Sequence, residues 1–338
     1  MIFSEEHIRQ QAVVDSLASV VETNLKFLAP LETRWWPAKF FRFLEGSPEE
    51  MYAGMREQRR QAEGLSDELL VVLVGNAITE DALANYALRL GVTTSGIDRI
   101  GVSDNPWMKW ARGWLAEEHL HGIALTRYLL LTGRVDMQAV DRTTTTLIQN
   151  GFEQDPSPYV GLFYPTFQEK ATNIAHDRVG IMARNAGAIT LADICTKIKA
   201  DEHRHGLVYL HIAQALFETD EDHAMIEFGR LMQEGLKMPS QRMTDTEHPK
   251  PPVLYGRFAR VSTRIGVYTP EDYAGILTHL NTELGIAGRS VSGEAARAQE
   301  FLCAQPEIIQ REWNLQKEIR DARPARQTKF SWIYSRAV

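Results

Sequence analysis

Two near-identical heptapeptides constrain this chain more than any other feature: A-E-E-H-L-H-G at 116–122 and A-D-E-H-R-H-G at 200–206. Each holds a Glu-x-x-His, Glu118 with His121 and Glu202 with His205. On a helix that spacing is almost one turn, so carboxylate and imidazole leave from one face. Each motif follows an earlier helical stretch with a Glu in apolar surroundings. Glu80 lies in L-L-V-V-L-V-G-N-A-I-T-E-D-A-L and Glu169 in F-Y-P-T-F-Q-E-K-A-T. Taken singly, Glu80 beside Asp81 and Glu169 beside Lys170 also read as solvated acids. Taken in order, a helix with Glu and a helix with Glu-x-x-His occur twice. Two such antiparallel pairs bring four carboxylates and two imidazoles to one centre, the ligand set of a dinuclear carboxylate bundle.

The donors narrow the metal. Carboxylates and imidazoles suit iron or manganese, whereas zinc prefers about four ligands, often with sulfur. A metal-bound histidine usually donates its other N–H to a carboxylate. Asp201 is therefore expected to accept from His121, and Glu117 from His205. His119 and His203 fall off the ligand face, and Cys195 is expected in the core.

Composition excludes several classes. The net charge of −7 argues against a general nucleic-acid binder. Two cysteines, Cys195 and Cys303, cannot supply a disulfide framework or a four-thiolate site, and a reducing cytoplasm is the expected setting. The first residues resemble neither a secretory signal nor a transit peptide. No apolar run reaches the roughly 18 residues of a membrane span.

The pattern is helical nearly throughout, so the expected class is all-α. One amphipathic stretch covers Ser4 to Phe27. Ser47-Pro48-Glu49-Glu50 and Ser66-Asp67-Glu68 are helix starts, with a capping side chain followed by acids facing the helix dipole. Helices are predicted over about 66–91, 106–133, 137–151, 160–187, 190–218 and 220–236. Residues 239–256, with four prolines, read as a loop. Thr269-Pro270-Glu271-Asp272 caps a further helix, and two shorter stretches run to about Arg323. The aromatic end, Phe330-Ser331-Trp332-Ile333-Tyr334, is expected to pack back, with room for a small hairpin. One domain is expected over 1–338, with a core bundle at about 66–218 and the segments from about 257 packed on it.

With these motifs in order, the chain resembles the soluble acyl-acyl carrier protein desaturases of the stearoyl-ACP desaturase type. The resemblance runs from about Trp35 to the C-terminus. It rests on V-V-L-V-G-N-A-I-T-E-D-A-L, W-A-R-G-W-L-A-E-E-H-L-H-G, F-Q-E-K-A-T and A-D-E-H-R-H-G. T-G-R-V-D-M at 132–137, G-V-Y-T-P-E-D-Y-A at 266–274 and F-S-W-I-Y at 330–334 extend it. The resemblance implies a ferritin-like bundle in a homodimer and a di-iron centre held by Glu80, Glu118, His121, Glu169, Glu202 and His205. It implies electrons from ferredoxin, O2 as co-substrate, and an acyl chain carried on acyl carrier protein. Thr172 matches an active-site threonine. Trp35 and Asp201 match an aromatic and an acid on a proposed electron route through His121, with Trp36 as the alternative alignment for Trp35. His119, His203 and Gly206 depart from the family pattern without touching a ligand.

The implied reaction inserts a cis double bond into a saturated acyl chain. A hydroxylating di-iron oxygenase shares the ligands and stands as the rival. A silent ferritin-like metal-binding protein is a further alternative, although ferritin subunits are about half this length. A radical-generating subunit needs a tyrosine one turn after the first histidine, where this chain has Leu125. An acidic carrier calls for a basic surface. The densest basic stretches are Arg34, Lys39, Arg42, Arg56, Arg59 and Arg60, and then Arg323, Arg326 and Lys329.

Overall fold

The computed structural model describes residues 4–87, 102–152, 155–321 and 327–334. Its helices, in chain order, are α1 (Glu5–Ser16), α2 (Ala18–Asn24), α3 (Pro48–Ala62), α4 (Asp67–Asp81), α5 (Pro106–Thr132), α6 (Met137–Asn150), α7 (Pro158–Asn185), α8 (Ile189–Thr219), α9 (Glu221–Glu234), α10 (Val253–Arg264), α11 (Pro270–Glu283) and α12 (Gly293–Asp321). Short 3-10 turns cover Leu25–Phe27, Pro37–Glu45, Pro239–Arg242 and Ile286–Gly288. Among the described residues there is no strand, only an isolated antiparallel bridge between Val135 and Ile333. The all-α class read from the sequence is the class observed.

Four long helices form the centre: α4 packs on α5, α5 on α8, and α8 most extensively on α7. Their starts follow local chemistry. Ser66 accepts from the Leu69 N–H, and Ser157 from the Val160 N–H. Asn105 accepts from the Trp107 N–H, with Pro106 in the first turn. Each side chain satisfies a backbone donor that the helix itself cannot. α7 and α8 are joined through Gly187 at φ +80°, a left-handed conformation that a side chain would strain. The predicted helix beyond residue 87 lies outside the described residues.

Four predicted elements differ from those observed. The helix expected over about 66–91 ends at Asp81, where ψ of 21° at Ala82 leaves the helical range. The stretch from Ser4 to Phe27 breaks at Leu17, where ψ of 5° leaves the helical range, so α1 and α2 are separate. The loop at 239–256 contains a 3-10 turn and gives way to α10 at Val253. The two stretches expected after α11 are largely one helix, α12, with Pro306 inside it. An internal proline leaves the carbonyl four residues earlier without its donor. That carbonyl belongs to Leu302, and Asn281 of α11 donates to it at 2.6 Å. A neighbouring helix thus supplies the bond that proline removes, which a linear pattern does not reveal.

Buried apolar side chains form two clusters. One joins α4, the latter half of α5 and the start of α8. The other joins the first halves of α5 and α7 to the end of α8, α9 and α11. The aromatic end packs on the first: Phe330, Trp332 and Ile333 are buried, and Trp332 Nε1 donates to Thr143 Oγ1 at 3.0 Å. The Trp332 carbonyl accepts from the Asp136 N–H at 2.8 Å, and Asp245 accepts from Ser331. Trp332→Ala is expected to destabilise the protein by about 3–5 kcal/mol, the usual cost of emptying a buried aromatic site. A thermal melt checks this, and an unchanged melting temperature would show that the aromatic end is not part of the cooperative core.

Candidate metal centre

The four central helices carry their polar residues at the seam between the two apolar clusters. On α5, Glu118 and His121 fall between Trp114 of one cluster and Leu125 of the other. On α8, Glu202 and His205 fall between Ile198 and Val208. Glu80 and Glu169 occupy the same level on α4 and α7. All six side chains are nearly or fully buried.

They form two overlapping groups. Glu80, Glu118, His121 and Glu202 present donor atoms that lie within 4.8 Å of one another, as do Glu118, Glu169, Glu202 and His205. Glu118 and Glu202 belong to both. His121 Nδ1 lies 3.4 Å from Glu118 Oε2, 3.4 Å from Glu202 Oε1 and 3.7 Å from Glu80 Oε2. His205 Nδ1 lies 2.8 Å from Glu118 Oε1 and 3.6 Å from Glu169 Oε2. The inward atoms His121 Nδ1, His205 Nδ1, Glu118 Oε1, Glu169 Oε2 and Glu202 Oε1 make no well-aligned hydrogen bond, close as some of them lie. Buried polar atoms are rarely left so. Two divalent cations would satisfy them, and the oxygen and nitrogen donors fit iron or manganese.

The outward sides are fully engaged. His121 Nε2 lies 3.2 Å from Asp201 Oδ2, and His205 Nε2 lies 2.9 Å from Glu117 Oε2. This is the crosswise arrangement expected from the sequence, in which each helix lends an acid to the other's histidine. Arg204 Nη2 donates to both acids, at 2.8 Å to Glu117 and 2.6 Å to Asp201. Burial pushes the Asp201 carboxyl up, but His121 and Arg204 outweigh it and hold it below the usual range. Burial also opposes charge on Glu80, yet His121 and His176 hold its carboxyl down at about 2. Glu169 is pushed well up, by burial and by the charge of Glu202. The crowding of Glu169 by the Glu202 carboxylate is the kind of repulsion that a bound cation relieves.

Thr172 Oγ1 donates to Glu202 Oε2 at 2.6 Å. Trp35 Nε1 donates to Asp201 Oδ2 at 2.7 Å, and its ring lies parallel to that of His121, with centroids 6.0 Å apart. Trp36 is exposed, so Trp35 is the tryptophan that reaches Asp201. His119 and His203 are exposed, and Cys195 is buried in the apolar core. Sequence reasoning passed over two neighbours. His176 Nε2 lies 3.0 Å from Glu80 Oε1, and Trp114 Nε1 donates to Glu169 Oε1 at 3.1 Å. Each has a sequence signal: His176 stands two turns after Glu169, and Trp114 one turn before Glu118.

A cavity adjoins the centre. Glu80, Thr172 and His176 form its polar edge, and Phe167, Phe258 and Tyr273 are among its aromatic walls.

A family model described as fatty acid desaturase matches residues 9–334. The chain belongs to the fatty acid desaturase family. It is 39% identical over 318 residues to a chloroplastic stearoyl-[acyl-carrier-protein] 9-desaturase of Arabidopsis thaliana, covering 93% of this chain and 79% of that relative. It is also 39% identical over 340 residues to an acyl-[acyl-carrier-protein] desaturase of Oryza sativa subsp. indica, covering 97% and 82%. The X-ray structure of DesA2 from Mycobacterium tuberculosis shares the fold, with a TM-score of 0.51 at 18% identity over 85% of this chain and 99% of that one.

In this desaturase-family chain, metal uptake should be visible as stability. Loading with Fe2+ or Co2+ is expected to raise the melting temperature, and chelation to reverse it. At a thousandfold excess over the dissociation constant the gain is about 4 kcal/mol. Glu118→Ala, which removes a carboxylate common to both groups, should abolish the gain. No shift in the unsubstituted protein would refute the metal centre.

Proposed function

We propose that this chain is an O2-dependent acyl-ACP desaturase. It removes two hydrogens from neighbouring methylenes of a saturated acyl chain held as a thioester on acyl carrier protein, leaving a cis double bond. The balance requires one dioxygen, two electrons and two protons per double bond, giving two waters. The single observation that carries this reading is the apolar cavity meeting the carboxylate–imidazole cluster at Glu80 and Thr172. Family membership supports it.

Two irons held by Glu80, Glu118, His121, Glu169, Glu202 and His205 supply the reduction of dioxygen when bound. The chain's own residues do the rest. Phe167, Phe258 and Tyr273 line the acyl site, exclude water and hold the methylenes against the polar edge. Thr172 Oγ1, bonded to Glu202 and facing the cavity, holds a proton beside the reacting carbons. Asp201 fixes the His121 ring and receives the Trp35 N–H, so Trp35, Asp201 and His121 form a continuous path from an N-terminal segment into the centre. Ferredoxin is the proposed electron donor. A homodimer in the cytoplasm is the proposed assembly and setting. No described helix is long and apolar enough to cross a membrane.

Iron-loaded protein supplied with ferredoxin, its reductase, NADPH, oxygen and a panel of saturated acyl-ACPs is expected to give a monoene from one preferred chain length. Mass spectrometry of the released acids reads it. A hydroxy acid instead would move the protein to the oxygenase rival.

The carrier is acidic, and α10 offers a basic surface in addition to the stretch expected near the start of the chain. Arg60 is already paired with Glu57 at 2.6 Å, and Arg34 with Glu117. Arg323 and Arg326 lie outside the described residues, and Lys329 pairs with Glu247 at 3.2 Å. α10, which walls the cavity through Tyr255, Phe258 and Ser262, carries Arg257 and Arg260. Neither makes an ion pair among the described residues. Arg257→Glu with Arg260→Glu should raise KM for acyl-ACP by about tenfold at low salt and flatten its salt dependence, leaving kcat unchanged. The same reversal at Arg56 and Arg59 should do less, and the opposite ranking would place the carrier on α3.

A further inference from the structure

His176 is not among the six donors and has no part in the proposed reaction, yet it is buried and touches the centre. It stands on α7 with Nε2 3.0 Å from Glu80 Oε1 on α4. A carboxylate only accepts, so Nε2 carries the proton and donates. One Glu80 oxygen is thereby taken. The other, Oε2, is the one that faces His121 Nδ1 at 3.7 Å.

The second half of the centre is served differently. Glu169 Oε1 accepts from the indole of Trp114 at 3.1 Å, and its Oε2 is the unpartnered oxygen facing His205. The two halves thus follow one plan, in which a ring N–H holds the outer oxygen and the inner oxygen is left for metal. They use different rings.

His176 also has a second face. A cleft between α7 and α8 has exposed Ile181, Arg184 and Thr196 at its rim, with His176 and Cys195 buried on its floor. Lys199 and Asp177 close one side of it with an ion pair of 2.6 Å. His176 lines this cleft and the acyl cavity alike. Its ring therefore stands between the metal centre and a solvent-facing opening.

We propose that His176 is a positioning residue for one metal only, the one shared by Glu80 and His121: it orients the Glu80 carboxylate and plugs the α7–α8 cleft behind it. This rests on the metal-centre reading. Removing a hydrogen bond to a ligand usually lowers metal affinity roughly ten- to a hundredfold. Here the loss should fall on one ion of two.

The test loads purified full-length protein with Co2+ and counts ions per chain, with affinities from chelator competition and coordination read from visible absorption. The unsubstituted chain should bind two ions. His176→Ala should keep one at unchanged affinity and bind the other roughly ten- to a hundredfold more weakly, with only part of the absorption altered. His176→Gln, whose amide can still donate, should recover part of the loss. Added imidazole should restore the second ion in His176→Ala, by entering through the cleft, and should not alter the unsubstituted protein. His176→Phe, which keeps the plug and lacks the donor, should be weak and not rescued. Two ions at full affinity in both His176→Ala and His176→Phe would overturn the inference. Full affinity in His176→Phe alone would reduce the residue to a plug and overturn the orienting role. A chain that fails to take up two ions without any substitution overturns the metal-centre reading itself, and this inference with it.

Discussion

Four carboxylates buried around two imidazoles are the constraint on which the rest depends. Like charges this close in a medium of low dielectric repel strongly, and burial alone would neutralise them. The fold answers with layers. Inward atoms are left for cations, and every outward side is bonded. Glu117 and Asp201, themselves acids, are held by the histidines they serve and by Arg204, which donates to both, with Arg34 reaching Glu117 at 3.2 Å. An isolated buried ion would cost several kcal/mol, so no member of this network is removed cheaply.

The network also explains why the N-terminal segment crosses the bundle where it does. The Ala29 N–H donates to Glu117 Oε1 at 2.7 Å, the Phe27 carbonyl accepts from Arg204, and Trp35 reaches Asp201. His211 of α8 meets Asn24 at 2.7 Å. Residues 24–35 have little regular structure of their own, so they are held by polar groups whose primary task is to orient the histidines. A proposed electron path through Trp35 thus begins in a segment that the centre itself fixes in place.

Much of this was legible in the sequence, because period carries it. Glu-x-x-His on a helix sets two side chains on one face whatever else the protein does, and Ser-Pro or Ser-Asp before apolar runs marks helix starts. Glu80, open to a solvated reading when taken singly, was placed inside by the matched order of the four elements. What was not legible required a partner distant in sequence. Pro306 looks like a helix end until Asn281 supplies the missing donor. His176 carries no local signal beyond its two-turn spacing from Glu169, since its partner is Glu80 on another helix. The break at Leu17 has no glycine or proline to announce it.

The centre is less symmetric than its repeated motifs. The cavity touches Glu80, Thr172 and His176 but not His205, and the small space beside it reaches Glu118, Glu202 and Trp114. An acyl chain in that cavity therefore approaches from the α4 and α7 side, and the half of the site held by Glu80 is the half it meets. The aromatic and polar neighbours divide accordingly. Trp110 and Trp114 pack on His205 and Tyr209 packs on both, an aromatic shell, whereas His121 has the Trp35 and Asp201 path behind it. A duplicated ligand plan has been given one side for substrate and one for support. The difference lies in side chains that the repeat does not share: Arg204 against Leu120, and His176 on Glu80 against Trp114 on Glu169.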